Sequence, residues 1–243
     1  PTADYAINGN KLVYVPGMDN VEGKAVTVEY RFNDGEWATF ENELTLPDGN
    51  YTIEMRSIDH VGNTSPSVTF EWRVYYEALQ EATVATEQAE AAVTQMSIDE
   101  AKVKVEAMGE VQEKATLLSR INDVQLIVND INLANEIQAT LNQMEPATVT
   151  SADVSTVQVK IDQLMETSRK TTVQAHLDKI QQILHARTAV EHAEVTAQQA
   201  DKDIAQGLVD ALEQAEPFTV ALQERLVTLQ QIIDYRTQFM TID

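Results

Sequence analysis

The chain has no cysteine. That removes disulfide frameworks, thiolate metal sites and cysteine nucleophiles together. It leaves the redox compartment open and is compatible with the exterior of a bacterium. Positive charge is also scarce: 17 Lys and Arg stand against 39 Asp and Glu, a net charge of −22. Such a chain repels nucleic-acid phosphates and anionic head groups, so neither is an expected partner. The carboxylates are spread along the chain and not blocked together, which reads as a solvated surface. Recruitment of divalent cations is the functional alternative. No apolar run approaches the roughly 18 residues that a membrane helix requires. No basic segment followed by an apolar one opens the chain, so no leader is expected in it. Beginning at Pro1, it reads as a mature product or an excised part of something longer.

Turn residues are few and unevenly placed. Gly9, Gly17, Gly23, Gly35, Gly49 and Gly62 lie before residue 75, as do Trp37 and Trp72. After Tyr75 only Gly109, Gly207, Pro146 and Pro217 interrupt the chain. Two grammars follow from this contrast.

The first is β. In "KAVTVEYRF", Val26, Val28, Tyr30 and Phe32 alternate with Ala25, Thr27, Glu29 and Arg31, one apolar face of a half-buried strand. "NDG" at residues 33–35 predicts a hairpin turn, because these residues tolerate positive φ. "PDGN" at residues 47–50 is a second turn. After it, Tyr51, Ile53, Met55 and Ser57 share one face. In "DHVGN", residues 59–63, the Asp bonds its own backbone and the Gly takes the left-handed conformation. The last strand carries Val68, Phe70, Trp72 and Val74 on one face. With "NKLVYV" (residues 10–15), about six or seven short strands fit before residue 75, the size of a small sandwich.

The second grammar is helical and repeats itself. "AEAAVTQMSIDEAKVKVEAM" (residues 89–108) aligns with "AEVTAQQADKDIAQGLVDAL" (residues 193–212), and "LLSRINDVQLIV" (residues 117–128) with "LQERLVTLQQII" (residues 222–233). A weaker middle copy carries Val157, Ile161, Leu164 and "HLDKIQQI" at residues 176–183. Each copy reads as three helices. Ser97 with Glu100 predicts a capping box, Thr150 or Ser151 takes the same role in the second copy, and Asp201 in the third. Gly109 suits a helix C′ position and Pro217 a helix N1 position. No Gly, Pro or loop cluster occurs from about residue 111 to 144. The third helix of one copy is therefore expected to continue as the first helix of the next, giving a rod.

Two resemblances follow. Pro47, Asp48, Gly49, Tyr51, Thr52, Asp59, Gly62, Asn63, Thr69, Phe70 and Trp72 resemble the C-terminal half of bacterial immunoglobulin-like domains in repeat-rich surface proteins. Asp201, Ala205, Leu208, Val209, Leu212, Leu222, Arg225 and Leu226 resemble the helical repeats of large Gram-positive surface proteins, S-layer proteins included. The expected fold is thus a multidomain β plus α chain: an N-terminal Ig-like β-sandwich, then an elongated array of three-helix bundles joined by continuous helices. The expected divisions are 1–74, 75–128, 129–184 and 185–243.

For chemistry the sequence offers little. His185 and His192 are seven residues apart, whereas zinc ligands on a helix sit three or four apart. His60 sits in a turn. No G-x-S-x-G, phosphate loop or G-x-G-x-x-G occurs. Paired carboxylates carry no information in so acidic a chain. Calcium is the one ion the sequence raises. Asp19, Asn20 and Glu22 form an oxygen-rich loop, and Asp59 and Asn63 flank another turn. Hard cations take six to eight oxygens, and no EF-hand spacing is present, so plain turn chemistry is the competing reading. Tyr75 and Tyr76 are expected to lock the β part onto the first helix.

What the resemblance implies is a non-enzymatic structural module of a large secreted bacterial surface protein, an S-layer building block first. An adhesin stalk or the accessory region of a secreted hydrolase are the alternatives. The expected location is the cell surface. Expected partners are other copies of itself, neighbouring surface proteins, or a cell-wall polymer or host ligand reached through other regions. No cofactor other than calcium is expected.

Overall fold

The structure is a computed structural model that describes residues 4–15, 26–214 and 216–240. Seven strands occur among the described residues: β1 Asp4–Asn8, β2 Lys11–Val15, β3 Thr27–Phe32, β4 Ala38–Phe40, β5 Glu43–Thr45, β6 Gly49–Ile58 and β7 Val68–Val74. They form two antiparallel sheets, ordered β1-β2-β5 and β4-β3-β6-β7. The predicted alternation on β3 and β6 is present: Val28, Ile53, Met55 and Ser57 are buried, while Glu29, Arg31, Glu54 and Arg56 stand on the other face. On β7 only Val74 is buried; Phe70 and Trp72 are half-buried and Val68 is exposed. Leu12 of one sheet and Val28, Phe40, Ile53, Met55 and Val74 of the other share a single core. Asn33 and Asp34 both take positive φ in the β3–β4 hairpin, and Gly62 does so before β7.

Seven helices follow among the described residues: α1 Tyr76–Ala92, α2 Gln95–Ala107, α3 Gln112–Asn142, α4 Ser151–Asp162, α5 Thr167–Thr196, α6 Gln199–Asp210 and α7 Pro217–Met240. Their ends show which start and stop signals operate. Thr94, not Ser97, caps α2; its hydroxyl accepts from Ser97 N, and Ser97 returns the bond. Glu100 has no part in that box. Thr150 caps α4 reciprocally with Asp153. The expected cap at Asp201 is not used as such: Gln198 stands at that end without a side-chain cap, and Asp201 instead accepts from Thr196 Oγ1 at 2.6 Å. Gly109 follows α2 at φ +70, and α7 opens on Pro217. α1 and α5 end on left-handed Val93 and Ala197. No propensity favours that conformation at a β-branched residue, and no residue type announces it.

Inward positions recur at one register. α2 buries Ile98, Ala101, Val105 and, just past its end, Met108; the α4 segment buries Val154, Val157, Ile161 and Leu164; the α6 segment buries Ala205, Val209 and Leu212. The opposing helix contributes Leu117, Ile121, Val124 and Val128, then Val173, Leu177 and Ile180 with half-buried Leu184, then Leu222, Leu226, Leu229 and Ile233. Spacings of three and four keep these residues on one helical face.

The expected fold class needs correction. The described residues are mostly helical, 62%, with two small antiparallel sheets. An N-terminal Ig-like sandwich followed by an elongated helical bundle array is not what is seen. Alternation identifies strands, but not their order or the size of their sheets; β4 and β5 have only 3 residues each. Likewise a period of 3.6 tells which helical face is buried, not how separate cores are arranged. By contacts the chain divides into two compact units, Pro1–Leu126 and Ile127–Asp243, a boundary that falls within α3.

Candidate functional site

Of the residues expected to hold calcium, Asp19, Asn20 and Glu22 lie outside the described residues. Asp59 and Asn63 do come together. Asp59 Oδ1 accepts from Val61 N at 3.0 Å and Asn63 N at 2.8 Å; Oδ2 accepts from the Asn63 side-chain amide at 2.8 Å. The bond from the Asn63 side chain, assisted by the backbone N–H groups, holds the Asp59 carboxyl below its ordinary pKa. Both carboxylate oxygens thus close the turn, and Asn63 turns its NH₂ group, not its oxygen, toward Asp59. No group of three or more His, Asp or Glu side chains suited to a metal occurs among the described residues. His176 Nδ1 lies 2.8 Å from Gln138 Nε2, and His192 Nε2 lies 3.8 Å from Asp201.

A polar junction does assemble within the first unit. Asp48, in the turn before β6, accepts from Glu77 N at 3.1 Å and Ala78 N at 2.8 Å. It therefore satisfies two of the orphan donors of α1 from far away in sequence. At the next helix end, Arg73 on β7 donates to Met108 O at 2.8 Å and Glu110 O at 3.3 Å. A guanidinium on terminal carbonyls suits the negative end of the α2 dipole. Gly109 makes this approach possible: besides its positive φ, a Cβ there would collide with Arg73 Nη2. Tyr75 donates its hydroxyl to Glu113 at 3.0 Å, and burial, then this bond, raises its pKa. The ring of Tyr76 lies against Gly9. Tyr76 thus joins α1 to the β part as expected, whereas Tyr75 reaches α3 instead. Asp48 and Arg73 were not foreseen, since their partners lie 29 to 37 residues away.

A second cluster covers the polar face of the larger sheet. Arg31 pairs with Glu54 through two bonds of 2.8 and 2.9 Å, and Arg56 pairs with Glu29 at 2.9 Å. The Trp37 ring lies 4.0 Å from the Arg56 guanidinium and 4.9 Å from that of Arg31. These cross-strand pairs neutralise one another, and the ring's attraction for cations is taken up by the chain's own arginines.

Across the helices, certain side-chain pairs recur. Gln95 and Gln125 exchange amide bonds, and Gln199 and Gln230 do the same. Arg120 grips Glu90 through two 2.8 Å bonds, and Arg225 grips Glu194 through bonds of 2.9 and 2.6 Å. Hydrogen bonding from the arginine holds each of these glutamates below its ordinary pKa. Gln158 and Gln174 exchange amide bonds between α4 and α5.

One residue in this region departs from the surface role of most acids here. Asp130 on α3 is 3% exposed at its side chain. It accepts from Met165 N at 2.7 Å, Glu166 N at 3.3 Å and Arg169 Nη1 at 3.0 Å, closing the turn into α5. Compared with protein-family models, curated proteins and solved structures, the chain matches none.

Proposed function

We propose that the chain is a non-enzymatic structural module of a large secreted bacterial surface protein, with an S-layer building block as the first reading. The observation that carries it is the duplication of cross-helix bracing. The Gln95–Gln125 and Arg120–Glu90 pairs recur as Gln199–Gln230 and Arg225–Glu194, at equivalent positions of separate copies. A repeat that keeps its braces keeps the relative placement of its helices. That is what a construction element requires, whereas a binding surface is kept through its exposed contacts. The residues Asp201, Ala205, Leu208, Val209, Leu212, Leu222, Arg225 and Leu226, which resemble helical repeats of large Gram-positive surface proteins, support the same assignment. In this reading the net charge of −22 makes lateral association depend on divalent cations. Like-charged surfaces repel within a screening length of about 10 Å at 0.1 M salt, and calcium bridges carboxylates where sodium only screens them. Light scattering across a calcium titration, against sodium chloride of matched ionic strength, tests it. Association in calcium alone is expected; equal behaviour in both salts removes the assembly role.

A further inference from the structure

α7 runs almost two turns beyond Ile233, the last inward residue of its own core. α5 shows what belongs on such an extension. After Val173, Leu177, Ile180 and Leu184, the same helix presents Ile183, Ala186 and Val190 to the next core, where α6 and α7 cover them. Ala186 and Val190 are fully buried there. On α7 the register Leu222, Leu226, Leu229, Ile233 places Ile232, Tyr235 and Phe239 at those three positions. They are 46%, 63% and 57% exposed, and the two rings lie 4.5 Å apart.

We propose that the last two turns of α7 form the first helix of a further three-helix core, and that their occupant is the amphipathic two-helix hairpin of a further repeat of this kind. The argument is continuity of register with an interface already present: the three positions that match Ile183, Ala186 and Val190 are all apolar, and Gln238 takes the half-buried flanking position of Ala189. The hairpin's chemistry follows from its counterpart, α6 with the first part of α7. One helix carries apolar residues at the spacing of Ala205, Val209 and Leu212, the other at that of Leu222, Leu226 and Leu229. Tyr235 and Phe239 stand where α5 has Ala186 and Val190, so the occupant has smaller side chains opposite them.

Because the chain lacks cysteine, Phe239→Cys introduces its only thiol. The full chain carrying this change is compared with the same chain continued after position 239 by a second copy of its own residues 191–233. Both are prepared with and without Tyr235→Ala, which restores the side-chain size found at Ala186. Thiol labelling is expected to slow about tenfold or more on extension, as for a site reached only by local opening. Protection in either background supports the docking face; protection in neither overturns it. A control extension with serine at its inward positions is expected to label as fast as the unextended chain. Equal slowing there means mere crowding and overturns the proposal. Sedimentation of the unmodified chain is expected to show a monomer. A dimer abolished by Phe239→Ser would make a second copy the occupant, and would also overturn it.

Discussion

Replacing Asp130 with alanine is expected to weaken the second unit by about 2–4 kcal/mol. The space itself is not the reason. At the equivalent register the other copies carry Ala82 and Ala186, both fully buried, so a methyl group suits this position. What the substitution removes is the acceptor for Met165 N, Glu166 N and Arg169 Nη1. Each buried donor left without a partner costs about 1–3 kcal/mol. The Arg169 contribution is discounted because its side chain is 30% exposed and regains water. Asp130→Asn, which keeps an acceptor oxygen but opposes an NH₂ group to Arg169, is expected to fall between alanine and wild type. Burial alone would raise the Asp130 pKa, but the bonds from Met165, Arg169 and Glu166 outweigh it and the net shift is downward. A carboxyl lowered in the folded state stabilises fully above its unfolded value of about 3.9 and loses that contribution as pH falls through the folded value. The alanine variant should therefore differ most from wild type near neutrality and converge with it in acid. Urea unfolding across this pH range, with hydrogen exchange of α4 and α5 as a local readout, measures both effects. A penalty below about 0.5 kcal/mol at neutral pH, or one independent of pH, would refute the reasoning, since only surface substitutions behave so.

Three further outcomes follow from the junction and the braces. Gly109→Ala is expected to cost about 1–2 kcal/mol in a melting experiment, from the left-handed backbone and the displaced Arg73; a neutral effect would mean that Arg73 does not need its present position. Asp48→Ala should cost about 1 kcal/mol, like loss of a helix cap, and hydrogen exchange should show the loss as fraying of the first turn of α1. Arg120→Ala and Arg225→Ala, whose pairs are partly exposed, are each expected to cost under about 1 kcal/mol in urea unfolding; a larger penalty would give these braces more than surface value.

Local patterns were legible where neighbours in sequence decide them. Alternation at Tyr51, Ile53, Met55 and Ser57 identifies a strand because side chains in a strand must alternate. The unpunctuated stretch at residues 111–144 holds α3 because nothing in it interrupts the backbone ladder. The cap of α2 was misplaced for a physical reason. Thr94 and Ser97 are three residues apart, so each with its successor fits the same spacing, and only the backbone angles of Thr94 select it. Long-range polar contacts left no local trace. Asp48 looks like an ordinary turn residue, and Asp130 is one acid among 39 Asp and Glu. The candidate site at Asp59 and Asn63 was legible as a turn, and turn closure is how the structure uses both residues. Strand order and the arrangement of cores depend on pairings between distant segments. The immunoglobulin-like and array expectations rested on residue types alone, and those pairings did not follow from them.

The comparison between copies also predicts where an aspartate is not tolerated. Asp130 and Ala186 share a register, as do Arg169 and Phe218. Around Asp130 the middle copy supplies two backbone donors and a guanidinium. In the third copy Phe218, packed against the core that holds Ala186, stands where the middle copy has the Arg169 guanidinium. Ala186→Asp would therefore bury a carboxylate without the guanidinium that accompanies Asp130. The expected cost at about pH 7 is at least about 3 kcal/mol, the scale of an uncompensated buried charge. Its sign with pH is opposite to that of Asp130. Desolvation raises this carboxyl's folded pKa above the unfolded one, so the penalty is full at high pH and shrinks as the folded state takes up a proton. Adding Phe218→Arg rebuilds the Asp130–Arg169 arrangement and is expected to recover part of the loss near neutrality, with little gain near about pH 4, where the carboxyl is already neutral. Urea unfolding of the two variants at both pH values decides the matter. If Ala186→Asp costs under about 1 kcal/mol, or if the added arginine helps equally at both pH values, then Arg169 is not what makes the burial of Asp130 possible.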